Sequence, residues 1–398
     1  MKLSHQNLLI TLFYISIIQY KNGGDKMRIA HVISGLNTGG AERMLLNMIK
    51  ICKGKKNSEH IVISISGKGA LSNSFIQQGV TVKHYDLKSI LGLIELVKLI
   101  FFVARENVDI IQTWLYHGDL IGGIVGKILG IPVVWGIHNS HLDAKGKIST
   151  KYVLKLDTLL SYYIPVKIVS CSHYAAHLHY QLGYRDIFHV IPNGFDIKKY
   201  QPNFNNKSKF AKKYHIEGKK IIGFVARFDA LKDFPNFIKA MGKVISQNNG
   251  VQVVMCGKNV DYSNDELKKN IIDNGIYDNV ILMGERNDIN NVLVGLDFLV
   301  LSSKSEAFPM VLGEAMSCGV PCITTDVGDA KYIVGDTGIC VDKENSECLA
   351  QGIIEALNWS SKLYKEKSRS ARHRIESEFS LEKVVDKYMD LYSEVVKN

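Results

Sequence analysis

The sequence predicts an α/β protein in which one architecture occurs twice: two mostly parallel sheets, each covered by helices on both faces. Three observations carry that expectation. From Met27 onward, short apolar runs of strand length alternate with helix-length segments. The alternation pauses at residues 190–210 (VIPNGFDIKKYQPNFNNKSKF), where two prolines and four asparagines read as a linker. Beyond the pause the same alternation resumes.

In the first half the strand runs are RIAHVIS (28–34), HIVISIS (60–66), DIIQTW (109–114), PVVWGIH (132–138) and KIVSCS (167–172). Helix-length segments lie between them at Ala41–Lys50, Ile90–Arg105 and Leu120–Leu129. Strands buried on both faces read as continuous apolar runs. The second half repeats the theme with KIIGFVA (220–226), VQVVMC (251–256), NVILMG (279–284), DFLVLS (297–302) and PCITTD (321–326). In the tail, Val384, Val385, Tyr388 and Leu391 share one helical face, and Ser380 with Glu382 marks a capped start.

The expected organisation is a first domain over 27–195, a second over 208–375, and a C-terminal helix over 376–398 that packs back toward the first. Residues 1–26 stand apart. Asn7–Tyr20 is apolar but shorter than the ~20 residues of an ordinary spanning helix, and no small-residue cleavage site follows it. The expectation is an upstream extension with the working protein starting at Met27; a membrane anchor is the alternative.

A chain of 398 residues with 46% hydrophobic and 22% charged residues is globular and long enough for two domains. Its formal net charge is +10, yet the lysine runs (50–56, 145–155, 207–213, 219–220) are scattered and no nucleic-acid module is present. Nucleic acid is thereby excluded as a partner. Attraction to anionic lipid or a phosphorylated substrate remains, beside simple solvation of loops. The seven cysteines form no CxxC pair, and Cys171, Cys256, Cys322 and Cys340 lie in strand-like runs. They read as free thiols acting as small hydrophobes in a reducing cytosol.

Ligands of open α/β sheets sit at the carboxyl ends of strands, so the strand-to-helix loops matter most. In GLNTGGAER (35–43), Gly39 and Gly40 let backbone amides approach an anion at a helix N-terminus. The spacing is not GxGxxG, and a tight turn explains the pair equally well. In VARFDALKDF (225–234), Arg227 and Lys232 lie five apart, a combination suited to a diphosphate or simply to a solvated loop.

In SKSEAFPMVLGEAMSCGVP (303–321), Glu306 precedes an expected helix over Met310–Ser317, and Glu314 lies inside it. Carboxylates so placed accept hydrogen bonds from sugar or ribose hydroxyls; Glu314, among Val311, Leu312, Ala315 and Met316, needs a partner. His138 at a strand end either serves a ligand or is structural. His173 and His177 have zinc-like spacing but lack the Glu of HExxH, and the chain contains no Asp-x-Asp clamp. Neither a metal nor a cofactor is expected.

Taken in order, GLNTGGAER, His138, VIPNGFD (190–196), Arg227 with Lys232, and the Glu306–Glu314 segment followed by AMSCGVP resemble the retaining glycosyltransferases of family four. The resemblance covers nearly everything from Met27, and the two glutamates eight apart are its most specific part. It implies the GT-B fold, two facing Rossmann-like domains with a cleft between them. It also implies metal-independent transfer from a nucleotide-sugar donor, with a UDP-sugar favoured. The acceptor would be a glycan or a lipid-linked sugar in cell-surface polysaccharide synthesis, of the capsule or O-antigen type.

By that resemblance the second domain holds the donor. Arg227 and Lys232 would stabilise the departing diphosphate, Glu314 the ribose hydroxyls and Glu306 the transferred sugar, while main-chain groups at Phe308, Pro309, Met310 and Val311 would contact phosphate and sugar. His138 would act at the reacting edge, and Gly39 and Gly40 would admit the diphosphate closely. Glu306, His138, Arg227 and Lys232 are thus the expected catalytic set. Two departures, Ala226 and Gly313, would bear on donor choice.

The acceptor is expected in the first domain, around Tyr116, His117, Asp119, Asn139 and the segment 139–160. Lys145–Tyr163 pairs lysines with Val153, Leu154, Leu156, Leu159 and Leu160. It is either a core helix with a solvated face or a surface for anionic membrane, which with the net charge points to a peripheral protein on the cytoplasmic face. Two other classes compete. A non-hydrolysing nucleotide-sugar epimerase of the same fold would use the carboxylates and histidine as acid and base and need no acceptor. A non-catalytic sugar-nucleotide binder is disfavoured by the intact set Arg227, Lys232, Glu306 and Glu314.

Overall fold

The computed structural model describes residues 26–53, 58–138 and 148–397. Two compact units make up the chain: one runs to Ile191 and takes up the chain again from Val385, and the other is Pro192–Val384.

The first unit contains a parallel sheet of seven strands: β1 (Met27–Ile33), β2 (Ser58–Ser64), β3 (Thr81–His84), β4 (Ile110–Trp114), β5 (Val133–Ile137), β6 (Lys167–Ser170) and β7 (Phe188–Val190). Their spatial order is β3-β2-β1-β4-β5-β6-β7. The second unit has six parallel strands: β8 (Lys220–Val225), β9 (Val251–Cys256), β10 (Val280–Leu282), β11 (Phe298–Leu301), β12 (Cys322–Thr325) and β13 (Ile339–Val341), in the order β10-β9-β8-β11-β12-β13. Both sheets reverse their winding once, between β1 and β4 and between β8 and β11, which is where such sheets open a crevice for ligands.

Burial explains the strands. Ala30, Val32, Ile63, Ile111 and Trp135 are enclosed in the first core, and Phe224, Phe234, Phe237 and Phe298 in the second. Phe224 and Phe237 stack at 4.4 Å. Each such ring contributes about 1.5–3 kcal/mol on burial. The edge strands β3, β7 and β13 are only three or four residues long and half exposed, so their apolar pattern is too short to stand out in the sequence.

Residues 190–210 are not a loose linker. The chain passes from one unit to the other after Ile191, and the following stretch is built into the second unit. Phe195 is buried; its N–H donates to the Phe379 carbonyl and its own carbonyl accepts from the Leu381 N–H, both at 2.9 Å. The Arg372 guanidinium donates to the carbonyls of Tyr200 (2.7 Å) and Ile197 (3.2 Å). Asn203 caps the helix Phe204–Lys213 by accepting from the Asn206 N–H at 3.0 Å. Backbone groups outside regular structure are satisfied here by main chain and a guanidinium from far along the chain, and by the nearby Asn203.

A single π-helical turn, Ile375–Phe379, leads into the last helix, Leu381–Lys397. Val384, Val385, Tyr388 and Leu391 are all buried. From Val385 this helix belongs to the first unit, where Tyr392 donates its hydroxyl to Gln112 Oε1 of β4 at 3.0 Å. All seven cysteines are free. Among the described residues no helix is long and apolar enough to cross a membrane. The expectations for Asn7–Tyr20 and for Asn139 fall outside the described residues.

Candidate functional site

In the second unit, β8 and β11 are neighbours at the switch point, so their loops meet. The Lys304 N–H donates to the Leu231 carbonyl at 2.8 Å, and Ser302 Oγ donates to the carbonyls of Lys232 and Asp233 at 3.0 Å. Asp229 starts a short turn, Ala230–Lys232, by accepting from the Leu231 N–H at 2.9 Å. Asp233 then takes a left-handed conformation (φ 52°), which aspartate tolerates better than most residues, and leads into the helix Phe234–Gln247. Lys232 is thereby fixed at the edge of the β11 loop.

Lys232 Nζ pairs with Glu306 Oε1, and Ser303 Oγ donates to the same oxygen at 2.7 Å. The two charged side chains are only 21% and 12% exposed. Arg227 is 64% exposed, and its Nε donates to Asp229 Oδ2 at 3.1 Å. The Leu231 amide holds the Asp229 carboxyl below its usual range, with Arg227 and Lys232 adding to the effect. The sequence put Arg227 and Lys232 together on one anion; the structure gives each its own carboxylate. Gly328 (φ 53°) lets a neighbouring loop pass directly behind, since a Cβ there would sit 2.3 Å from the Glu306 carbonyl.

Glu314 is half-buried in the helix Met310–Ser317. One donor expectation needs correction. Pro309 has no N–H to offer, and its carbonyl accepts from the Leu312 N–H at 3.2 Å. The Phe308 side chain is core, stacked on Phe195 at 6.1 Å. Met310 and Val311 start a helix that no side chain caps, so their amides are free of intrahelical partners. Gly313 departs from the family pattern for a packing reason: a Cβ there would lie 2.1 Å from the Phe195 ring.

In the first unit, Gly39 precedes the helix Gly40–Cys52, and the Glu42 carboxylate folds over it, 2.3 Å from where a Cβ would be. Burial raises the Glu42 carboxyl above its ordinary value. The space an anion was expected to use at Gly39 is thus filled by an acid of the same helix, while Gly40 stays open.

His138 directly follows β5 and stacks on Trp114 at 4.7 Å and 16°. Among the described residues neither of its ring nitrogens has a hydrogen-bond partner. Burial lowers its pKa to about 4, so the ring is neutral.

Two acceptor candidates are also corrected. Tyr116 is buried with its hydroxyl 2.8 Å from His179 Nε2. Asp119 is wholly enclosed: its Oδ1 accepts from Thr113 Oγ1 (2.5 Å) and the Gly136 N–H (3.1 Å), and burial raises its pKa to about 7. Asp119 thus ties β4 to β5, and Tyr116 is bonded to the helix that follows β6. His117 remains half-exposed. His173 and His177 are exposed, and His177 pairs with Gln181 at 2.9 Å. Among the described residues no cluster of three or more metal-binding side chains occurs.

Residues 38–199 match the family model for Glycosyltransferase Family 4, and residues 205–374 match that for glycosyl transferases group 1. The chain belongs to the family 4 glycosyltransferases.

The glycosyltransferase is 26% identical to the UDP-Gal:alpha-D-GlcNAc-diphosphoundecaprenol alpha-1,3-galactosyltransferase of Escherichia coli, over 95% of this chain and 100% of that protein. It is 22% identical to the N,N'-diacetylbacillosaminyl-diphospho-undecaprenol alpha-1,3-N-acetylgalactosaminyltransferase of Campylobacter jejuni, over 88% and 95%. The crystal structure of Anabaena HepE in complex with UDP superposes with a TM-score of 0.81, over 93% of this chain and 100% of that one, at 22% identity. The glycosyltransferase therefore has the GT-B fold, built from two Rossmann-like domains.

Sequence reasoning passed over a cluster in the first unit of the glycosyltransferase. His31 Nε2 lies 2.9 Å from His60 Nδ1, and Trp114 Nε1 donates to His31 Nδ1 at 3.3 Å. The one available signal was a histidine inside each of two otherwise apolar strand runs, RIAHVIS and HIVISIS.

Proposed function

We propose that this glycosyltransferase moves a sugar from a UDP-sugar to a lipid-linked acceptor, with retention at the anomeric carbon and without a metal ion. The observation that carries the reading is the pairing of Lys232 with Glu306 where the β8 and β11 loops meet. A cation for the leaving diphosphate and a carboxylate for the sugar hydroxyls stand side by side, with Arg227 exposed nearby. The bond from the anomeric carbon to the diphosphate oxygen breaks as a bond to the acceptor oxygen forms on the same face. The acceptor proton passes to the departing phosphate oxygen. Charge grows on phosphate in that step, so cations held in place act mostly on the transition state. Glu314 serves the ribose, the Met310 and Val311 amides the phosphates, and His138 the reacting edge.

The E. coli and C. jejuni relatives are named for diphosphoundecaprenol acceptors, and HepE has been solved with UDP and with UDP-glucose. A polyprenyl-type acceptor and a cell-surface polysaccharide of the capsule or O-antigen type follow for this enzyme by analogy. The membrane side has support in the first unit. The helix Ile148–Leu160 and the turn after it expose Tyr152, Leu156, Leu159, Tyr162 and Tyr163 beside Lys151 and Lys155, whereas the only acid of residues 148–167, Asp157, is buried. Aromatics and lysines without an exposed acid suit an anionic lipid surface. The enzyme would then sit peripherally on the cytoplasmic face.

The test is nucleotide release by the full chain from UDP-glucose, UDP-galactose, UDP-N-acetylglucosamine and GDP-mannose with EDTA present, beside Lys232→Ala and Glu306→Ala. Release from a UDP-sugar above the level of both variants is expected, and the anomeric coupling constant of the product reads retention. Loss of activity in EDTA, or an inverted product, overturns the corresponding part.

A further inference from the structure

We infer that His31 and His60 are positioning residues for His138, acting through the ring of Trp114. The inference rests on the reading of His138 as a group at the reacting edge. An indole N–H can only donate, so the contact from Trp114 Nε1 to His31 Nδ1 at 3.3 Å makes that nitrogen an acceptor. The His31 proton must then be on Nε2, from which it is donated to His60 Nδ1 at 2.9 Å. His60 in turn carries its proton on Nε2 and donates to Ser58 Oγ at 2.9 Å. One donor thus sets both tautomers, and the chain of bonds runs in one direction from the end of β4 across β1 to β2. A second proton on His31 would place N–H against N–H and break it. Burial holds both rings neutral, with His60 adding to the effect on His31.

This matters because of how His138 is held. A histidine is ordinarily oriented by a hydrogen bond from one ring nitrogen, leaving the other for chemistry. Among the described residues His138 has no such bond; what fixes its plane there is the stack on Trp114 at 4.7 Å and 16°. Trp114 is wholly buried, stacks also on Tyr388 at 6.0 Å, and has its in-plane rotation set by the bond to His31. Leu115, the next residue, has φ 67°, a strained value for leucine that marks how tightly the end of β4 is placed. The apparent structural histidines in β1 and β2 therefore govern, through Trp114 of β4, a ring at the end of β5 whose two nitrogens have no hydrogen-bond partner among the described residues.

The experiment uses the full chain with ¹⁵N-labelled histidine and long-range ¹H–¹⁵N spectra, which report tautomer and protonation without any ligand. His31 and His60 are expected in the Nε2–H form at pH 7. In His31→Leu the His138 titration is expected to move up toward 6.5, and His31→Asn, which keeps an acceptor for the indole, is expected to restore it. Trp114→Phe keeps a ring but no donor, and serves if His31→Leu does not fold; it should reproduce the shift. An unchanged His138 titration in either variant overturns the inference.

Turnover supplies the second arm, read as UDP release from UDP-galactose. His31→Leu should lower kcat roughly tenfold or more with little change in KM, as misplacement of a reacting group does. The same substitution should have no further effect in a His138→Ala background. A full, independent loss there would make His31 merely structural and overturn the proposal. If His138→Ala itself leaves turnover intact, the role of His138 falls, while the spectra still decide whether the three rings are coupled.

Discussion

Lys232 donates to Glu306 through an oxygen that also accepts from Ser303 Oγ at 2.7 Å, so the cation, the carboxylate and the hydroxyl form one bonded unit. The residue proposed for the diphosphate and the residue proposed for the sugar thus position each other. Little reorganisation is then needed as charge develops. Lys232→Ala is expected to cost ~10²–10³ in kcat. Because both members act as one unit, Lys232→Ala combined with Glu306→Gln should lose less than the sum of the single effects, read by steady-state kinetics. Strict additivity would show that the two act separately.

Gly313 is a packing residue. Adding a methyl group 2.1 Å from the Phe195 ring overfills the core. Gly313→Ala is expected to destabilise by about 1–3 kcal/mol, and Phe195→Leu in the same chain to recover part of it. Donor preference should be the same as in the natural chain. Thermal unfolding and the four-donor assay check the two halves of this prediction, and a donor change without a stability change would reverse the assignment.

Asp157 is buried with neither carboxylate oxygen bonded among the described residues, close enough to feel the charge of Asp119. Burial raises both carboxyls, Asp119 to about 7 and Asp157 to about 10. A folded-state pKa above the unfolded value means stability that is complete below about pH 4 and is lost as pH rises through the folded pKa. The chain should therefore lose stability steadily from pH 5 to 8.5. Asp157→Asn, neutral and close in shape, should raise the melting temperature more at pH 8.5 than at pH 5. Equal shifts at both values would rule out ionisation as the cause.

The lysine and aromatic face at Ile148–Tyr163 should bind vesicles containing phosphatidylglycerol and not those of phosphatidylcholine alone. Each lysine near such a surface contributes about 1 kcal/mol. Lys151→Gln with Lys155→Gln should thus lower partitioning on the order of tenfold to thirtyfold, and added salt should erase the difference. Co-sedimentation reads both, and equal binding to neutral vesicles would discard the lipid role of the lysines.

Much of the fold was legible because parallel strands announce themselves as unbroken apolar runs; RIAHVIS and KIIGFVA both became central strands. What escaped was short or satisfied from a distance. The edge strands offered too few residues to show a pattern. The stretch after Ile191 looked loose because its local bonds are isolated turns, whereas Phe379, Leu381 and Arg372, all more than 170 positions on, anchor it. The position of Glu306, Lys232 and Arg227 in the loops after β8 and β11 was readable from charge at strand ends. Asp119 and Tyr116 were misjudged because a polar residue in a first helical turn looks the same in sequence whether it faces solvent or the sheet.

By itself the sequence determined the two-domain α/β organisation, the strand-end loops that bear the charged residues, and the family, since apolar periodicity and the order of motifs are properties of the chain read along its length. Only the tertiary structure decided which charges pair, that Gly313 makes room for Phe195, and that Trp114 orders two histidines and lies under a third. Those relations depend on the direction a side chain takes from its backbone and on what residues distant in sequence place against it. Hydrogen-bond direction, ring stacking and desolvation act through space over a few ångströms, and no spacing along the chain encodes them.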